Sequence, residues 1–150
     1  MASANGAARA GVWLLVVGGL TLAVSTFLDW YDFLGAGVSA WDALRRTDVA
    51  VFVAGLVAAT SGAWLGFGDV GPERRVVAPL GAAAGMLGAV AVIVRMASPP
   101  GGDVSLEAGI YIALVAAVVA AIGGVLAVSR AGGPARPRSA TRTRSRSSSG

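Results

Sequence analysis

The chain has 150 residues, of which 55% are hydrophobic and only 13% charged, and its formal net charge is +4. An average soluble domain is charged at about a quarter of its positions. This composition therefore excludes a water-facing shell around a core of this size and points to a bilayer as solvent. Cysteine, histidine and lysine are absent, which excludes disulfides and thiol chemistry and removes most general bases, covalent nucleophiles and metal ligands.

In chain order, residues 1–10 read as a short cytoplasmic N-terminus containing Arg9. A first apolar segment follows, from about Gly11 to Leu28. At about 1.5 Å per residue it is long enough to cross roughly 30 Å of hydrocarbon as a helix. The rival reading is a signal peptide, with Arg9 as its basic region and Ala23-Val24-Ser25 loosely resembling a cleavage site. The apolar run is long for such a leader, and cleavage would invert the arginine count described below.

The first loop, Asp29 to Asp48, holds Trp30, Tyr31, Phe33 and Trp41. Aromatic rings with a polar tip suit the headgroup zone, so these four are expected to form an interfacial anchor. Ser39 followed by Asp42 resembles a capping box. It predicts a short interfacial helix from Ala40 to about Arg46, with Thr47 or Asp48 capping the next span.

The second segment runs from Val49 to Phe67, and the turn Gly68–Arg75 contains the breaker Gly71-Pro72. The third runs from Val76 to Val94, with Pro79 near its start as a possible kink. Arg95 to Ala108 contains Ser98-Pro99-Pro100-Gly101-Gly102, which no helix accommodates. The fourth segment runs from Gly109 to Val128. None of the four segments carries a charge, and backbone in lipid must satisfy itself, so each reads as a helix. Short connections favour antiparallel neighbours. The expected fold is an all-α membrane protein: a four-helix up-down transmembrane bundle over residues 11–129, with a short interfacial helix in the first outer loop.

Lipid tails are as apolar as leucine, so helices associate through small residues that let backbones approach. Gly55, Ala59, Gly62 and Gly66 recur at 4-3-4 spacing, Ala78, Gly81, Gly85 and Gly88 at 3-4-3. Gly109, Ala113, Ala116, Ala120, Gly123 and Ala127 repeat the rhythm, as do Gly11, Gly18, Thr21 and Ser25. A heptad of seam residues predicts a left-handed bundle, with Gly55, Gly62, Gly66, Gly81, Gly85, Gly88 and Gly123 as its packing positions. Whether these seams serve the monomer or an oligomer is open at this level.

Arg95 borders apolar Val94 and Met96, and burying it alone would be costly, so a contact with Asp29 or Glu107 is expected. Residues 130–150 are Arg, Ser, Gly, Pro and Thr with some Ala, and read as a disordered basic tail. Arg136, Arg138, Arg142, Arg144 and Arg146 would attract anionic lipid headgroups there. With Arg9, Arg74, Arg75 and the tail on one side, and Arg45, Arg46 and Arg95 on the other, the arginine bias predicts both termini in the cytoplasm of a bacterial cell membrane.

No catalytic, cofactor or metal site is expected, and an enzyme is not. A proton-coupled transporter needs an ionisable residue within a span, and the first span has none from Val12 to Leu28. The expectation is a small accessory or scaffold membrane protein acting through helix–helix or outer-loop contacts. The alternative is a small transporter or pore formed by oligomerisation. Expected partners are membrane lipids and either a second copy or another membrane protein; no nucleic acid is expected. Trp30-Tyr31 after the first span and Ser39-Ala40-Trp41-Asp42-Ala43-Leu44 before the second resemble the small, uncharacterised four-span membrane proteins of actinobacteria. That resemblance covers roughly residues 10 to 129 and implies topology, with no catalytic residues to carry over.

Overall fold

A computed structural model describes residues 2–33, 36–39, 46–68, 71–98 and 105–131 of the chain. Four long helices dominate: α1 (Ala2–Ser25), α2 (Arg46–Phe67), α3 (Arg74–Ala97) and α4 (Ala108–Ala131). Three short strands, β1 (Asp29–Phe33), β2 (Ala36–Ser39) and β3 (Ser105–Leu106), occupy the connections α1–α2 and α3–α4. Three of the helices, α2, α3 and α4, are long and apolar enough to cross a membrane, while the apolar part of α1 spans the shorter stretch Arg9–Ser25.

The helices form a closed ring in which α1 packs on α2 and α4, and α3 packs on α2 and α4; diagonal pairs scarcely touch. Neighbours run antiparallel. Along α1, Gly11 faces Gly123 and Ala127 of α4, whereas Gly18 faces Ala116 and Ala120. Gly81 of α3 faces Ser61 of α2, whereas Gly88 faces Ala54.

Small residues explain how close the helices come. A Cβ on Gly19 would lie 2.5 Å from the Ala59 nitrogen, and one on Gly55 2.7 Å from the Ala23 nitrogen. Two Gly-xxx-Ala pairs, Gly19/Ala23 and Gly55/Ala59, thus interlock reciprocally across α1 and α2. Between α3 and α4, Gly85 rests on the backbone of Ala121 while Gly124 rests on Ala82. All seven glycines expected to pack helices face another helix of the same chain: Gly55, Gly62 and Gly66 on α1, Gly81 on α1 and α2, Gly85 on α4, Gly88 on α1 with α2 and α4, and Gly123 on α1. Gly19 and Gly124, outside the spacing read from sequence, are packed as tightly.

Two apolar clusters fill the ring. Val12, Leu15, Ala58, Leu65, Ala78, Ala84, Ala120 and Ala127 pack toward one end. Leu22, Val51, Val92, Ile110, Ala113, Ala116 and Ala117 pack toward the other, joined there by Trp30 and Tyr31. Large apolar side chains cover the outside of all four helices, among them Val17 and Val24 on α1, Val53 on α2, Leu87 on α3 and Val115 on α4.

α1 ends at Ser25, three residues short of the apolar limit at Leu28. Thr26, Phe27 and Leu28 instead form a tight turn, each backbone N–H bonding the carbonyl three residues back. The Ser25 and Thr26 hydroxyls donate to the Leu22 and Ala23 carbonyls, competing with continued helix. The α1–α2 connection then departs from the expected all-α reading. Residues 29–33 and 36–39 pair as an antiparallel hairpin to which β3 adds, giving the order β2-β1-β3. The interfacial helix expected from Ala40 lies outside the described residues, except that Arg46 already belongs to α2. The tail arginines Arg136, Arg138, Arg142, Arg144 and Arg146 also lie outside them. α3 runs unbroken through Pro79, whose side chain is exposed.

Enlarging a seam residue should force the backbones apart. Gly19→Leu or Gly55→Leu should each lower stability by about 1–3 kcal/mol or abolish folding, read by thermal unfolding in detergent. Leu87→Val, on the outer wall, should leave the midpoint unchanged.

Candidate functional site

The densest polar arrangement lies where the α1–α2 connection meets the helices. Asp48 stands in the first turn of α2 and Arg95 in the last turn of α3. Acid at a helix start and base at a helix end each favour the local helix dipole. Antiparallel packing of α2 on α3 sets them side by side. Arg95 donates from Nε to Asp48 Oδ1 at 2.8 Å and from one terminal nitrogen to Oδ2 at 2.9 Å. This is the planar, two-pronged geometry that a guanidinium and a carboxylate favour. Both side chains are almost wholly buried, at 3% and 2% exposure.

The pair is roofed by aromatics. The Arg95 guanidinium carbon lies 5.5 Å from the centroid of the Tyr31 ring, within cation–π range. The Tyr31 hydroxyl donates to the Arg95 carbonyl at 3.4 Å. Trp30 donates from its indole nitrogen to the Ser25 carbonyl at 2.6 Å, while its own carbonyl accepts the Glu107 N–H at 2.9 Å. Gly109 leaves room for this contact: a Cβ there would lie 2.5 Å from the Asp29 carbonyl oxygen and 2.8 Å from the Trp30 ring.

Successive strand residues ordinarily point to opposite faces. Here β1 carries an irregularity between Asp29 and Tyr31, which pair with the adjacent residues Ser39 and Val38. Trp30 is the extra residue, and a bulge of this kind re-aims a side chain. Both rings are buried as a result, Trp30 at 0% and Tyr31 at 1% exposure. They are therefore core residues of a small cap and not the interfacial anchors that their sequence position implied. The side chains of Phe33 and Trp41 lie outside what the structure describes. Exposed aromatics sit elsewhere, with Trp13, Trp64 and Phe67 at one end of the bundle and Phe27 and Tyr111 at the other. Edge-on ring contacts join Trp13 to Phe67 and Phe27 to Phe52, each with centroids 5.8 Å apart.

The partner of Arg95 is also a correction. Neither Asp29 nor Glu107 holds it; Asp48 does, one of the two residues, with Thr47, that the sequence suggests as a cap for α2. Asp29 ends the connection from α1, which lies diagonal to α3 in the ring, and its side chain is exposed beside Gly37. Glu107 precedes α4 and is drawn onto β1 by its backbone. The signal was present: in consecutive antiparallel helices, the end of one lies beside the start of the one before it. Among the described residues no group of three or more carboxylates could hold a metal ion.

No protein-family model, no curated protein and no solved structure matches the chain.

Removing Asp48 leaves the buried Arg95 guanidinium without its carboxylate, and removing Arg95 leaves the buried Asp48 carboxylate without its cation. Asp48→Leu or Arg95→Met alone should cost about 3–5 kcal/mol. Asp48→Leu combined with Arg95→Met should recover most of that loss, in a double-mutant cycle of unfolding in mixed micelles. Asp29→Asn should have no measurable effect.

Proposed function

We propose that the chain is a small four-span integral membrane protein that serves as an accessory or scaffold component, presenting its outer cap to another membrane protein. The observation that carries the membrane reading is the outer wall of α1. Trp13, Val17, Leu20, Val24 and Phe27 are at least half exposed along it and the turn that follows, as on the walls of the three helices whose apolar stretches are longer. A contiguous apolar wall of this extent is not tolerated in water. The apolar part of α1 together with the Thr26–Leu28 turn provides about 20 residues, enough to reach across.

The arginine bias favours both termini on the cytoplasmic side of a bacterial cell membrane. The helix seams favour action through the cap. Their glycines are filled by the chain's own helices, leaving branched aliphatic side chains facing outward. The cap is held rigidly by Asp48, Arg95, Trp30 and Tyr31, as a recognition surface should be. A route for ions through the monomer has little support. Buried polar side chains among the described residues are Ser25, Thr26, Ser39, Asp48 and Arg95 near the cap, and Ser61 alone deeper in the bundle.

Three experiments test this. Because cysteine is absent, single cysteines can report sidedness. Ser105→Cys should react with a membrane-impermeant maleimide in intact cells and Glu73→Cys only after permeabilisation. The reverse pattern, or equal labelling, contradicts the topology. A photo-crosslinking residue at Ala36 should capture a specific membrane partner, whereas one at Leu87 should capture only lipid. Solute flux through liposomes containing the protein alone would favour a pore instead.

A further inference from the structure

Two tryptophans stand at one height on neighbouring helices. Val12 of α1 faces both Gly62 and Gly66 of α2. Trp13, the next residue on α1, is therefore level with Trp64, which sits between those glycines. Both rings are more than half exposed, and Trp13 meets Phe67 edge-on with centroids 5.8 Å apart. The exposed stripe of α1 reads Arg9, Trp13, Val17, Leu20 and Val24, at the three- and four-residue intervals of one helix face. It passes from a cation, through a ring carrying one donor, to aliphatic side chains alone. That is the order of layers met on entering a bilayer.

The exposed stripe of α2 reads Val53, Leu56, Thr60, Trp64 and Phe67. Thr60, one turn nearer the middle of the helix, closes its hydroxyl onto the Leu56 and Val57 carbonyls. A polar group surrounded by hydrocarbon must be satisfied within the chain in this way. Trp64 has no such closure. Trp30, in the cap, gives its indole N–H to the Ser25 carbonyl, whereas those of Trp13 and Trp64 meet no acceptor among the described residues. A partner helix would offer few acceptors at that depth, because its carbonyls are spent on its own backbone. We infer that Trp13 and Trp64 anchor this end of the bundle to glycerolipid. Their ring bodies lie in hydrocarbon and their N–H groups donate to the ester carbonyls, with Arg9 one turn further out among the headgroups. They take the place that Trp30 and Tyr31, buried in the cap, do not fill. This rests on the membrane reading above.

The test places the full chain, with nitrogen-15 in its tryptophans, in nanodiscs of ester-linked phosphatidylcholine and then of ether-linked phosphatidylcholine, which lacks the carbonyl. Trp13→Phe, Trp64→Phe and Trp41→Phe assign the indole N–H resonances, and the fourth belongs to Trp30. The Trp13 and Trp64 resonances should shift upfield in the ether lipid, while that of Trp30, whose acceptor is protein, should stay. Unshifted Trp13 and Trp64, or an equal shift of Trp30, overturns the assignment. Should a variant fail to fold, the wild-type spectrum still decides: fewer than two of the four resonances moving overturns it. Depth is read independently with brominated phosphatidylcholines. The emission that Trp13→Phe and Trp64→Phe together remove should be quenched most by bromines near the ester linkage. Strongest quenching by bromines near the chain end overturns the anchor alone. Wild-type emission unquenched by any brominated lipid overturns the membrane reading itself.

Discussion

The bundle is held where backbones touch. In lipid, covering a leucine with another leucine gains little, because hydrocarbon was already there. What remains is dispersion between closely fitted surfaces, weak per atom and large in sum. It requires that side chains stay out of the way. Gly18 against Ala120, Gly19 against Ala59, Gly55 against Ala23 and Gly123 against Leu15 meet that need on two sides of α1 at once. α1 is accordingly a helix with small residues toward both neighbours and large ones toward the outside.

The same packing fixes where charge can be buried. A ring of antiparallel neighbours brings the start of α2 beside the end of α3, so Asp48 and Arg95 meet without either backbone bending. Their pairing is not a strong source of stability by itself, since desolvating two ions consumes much of the attraction between them. Its consequence is specificity of arrangement. Arg95 offers a flat cation to the Tyr31 ring and a carbonyl to the Tyr31 hydroxyl. The loop that would otherwise lie loosely on the membrane surface becomes a three-stranded cap seated on the helix ends. The bulge at Trp30 completes the seat by turning a second ring inward.

The helices and their contact faces were legible in the sequence because both follow from periodicity. Uncharged runs of membrane length set the four segments, and small residues at heptad spacing set the seams. The cap was not legible. Trp30 and Tyr31 have the composition of an interfacial anchor, and nothing local distinguishes a ring that lies in headgroups from one turned inward by a strand bulge. The two-residue strand β3 pairs across a sequence separation of more than 70 residues with β1, beyond any local pattern. Thr47 or Asp48 is the cap that the sequence suggests for α2, because polar side chains near a helix start usually serve that way; that Asp48 also holds Arg95 required knowing which helices are neighbours. Gly19 and Gly124 escaped notice because each follows another glycine in sequence, and a single-stripe reading keeps only one of the two.

The central claim is that lipid, not water and not another subunit, covers the outward face of all four helices, with α1 the most demanding case. Spin labels placed one at a time from Trp13 to Leu28 in vesicles, with collision rates to oxygen and to a water-soluble nickel complex, measure it directly. Labels at Trp13, Val17, Leu20 and Val24 should be open to oxygen and closed to nickel, repeating with the helical period. Nickel access along that face, or protection from both reagents, would contradict the account.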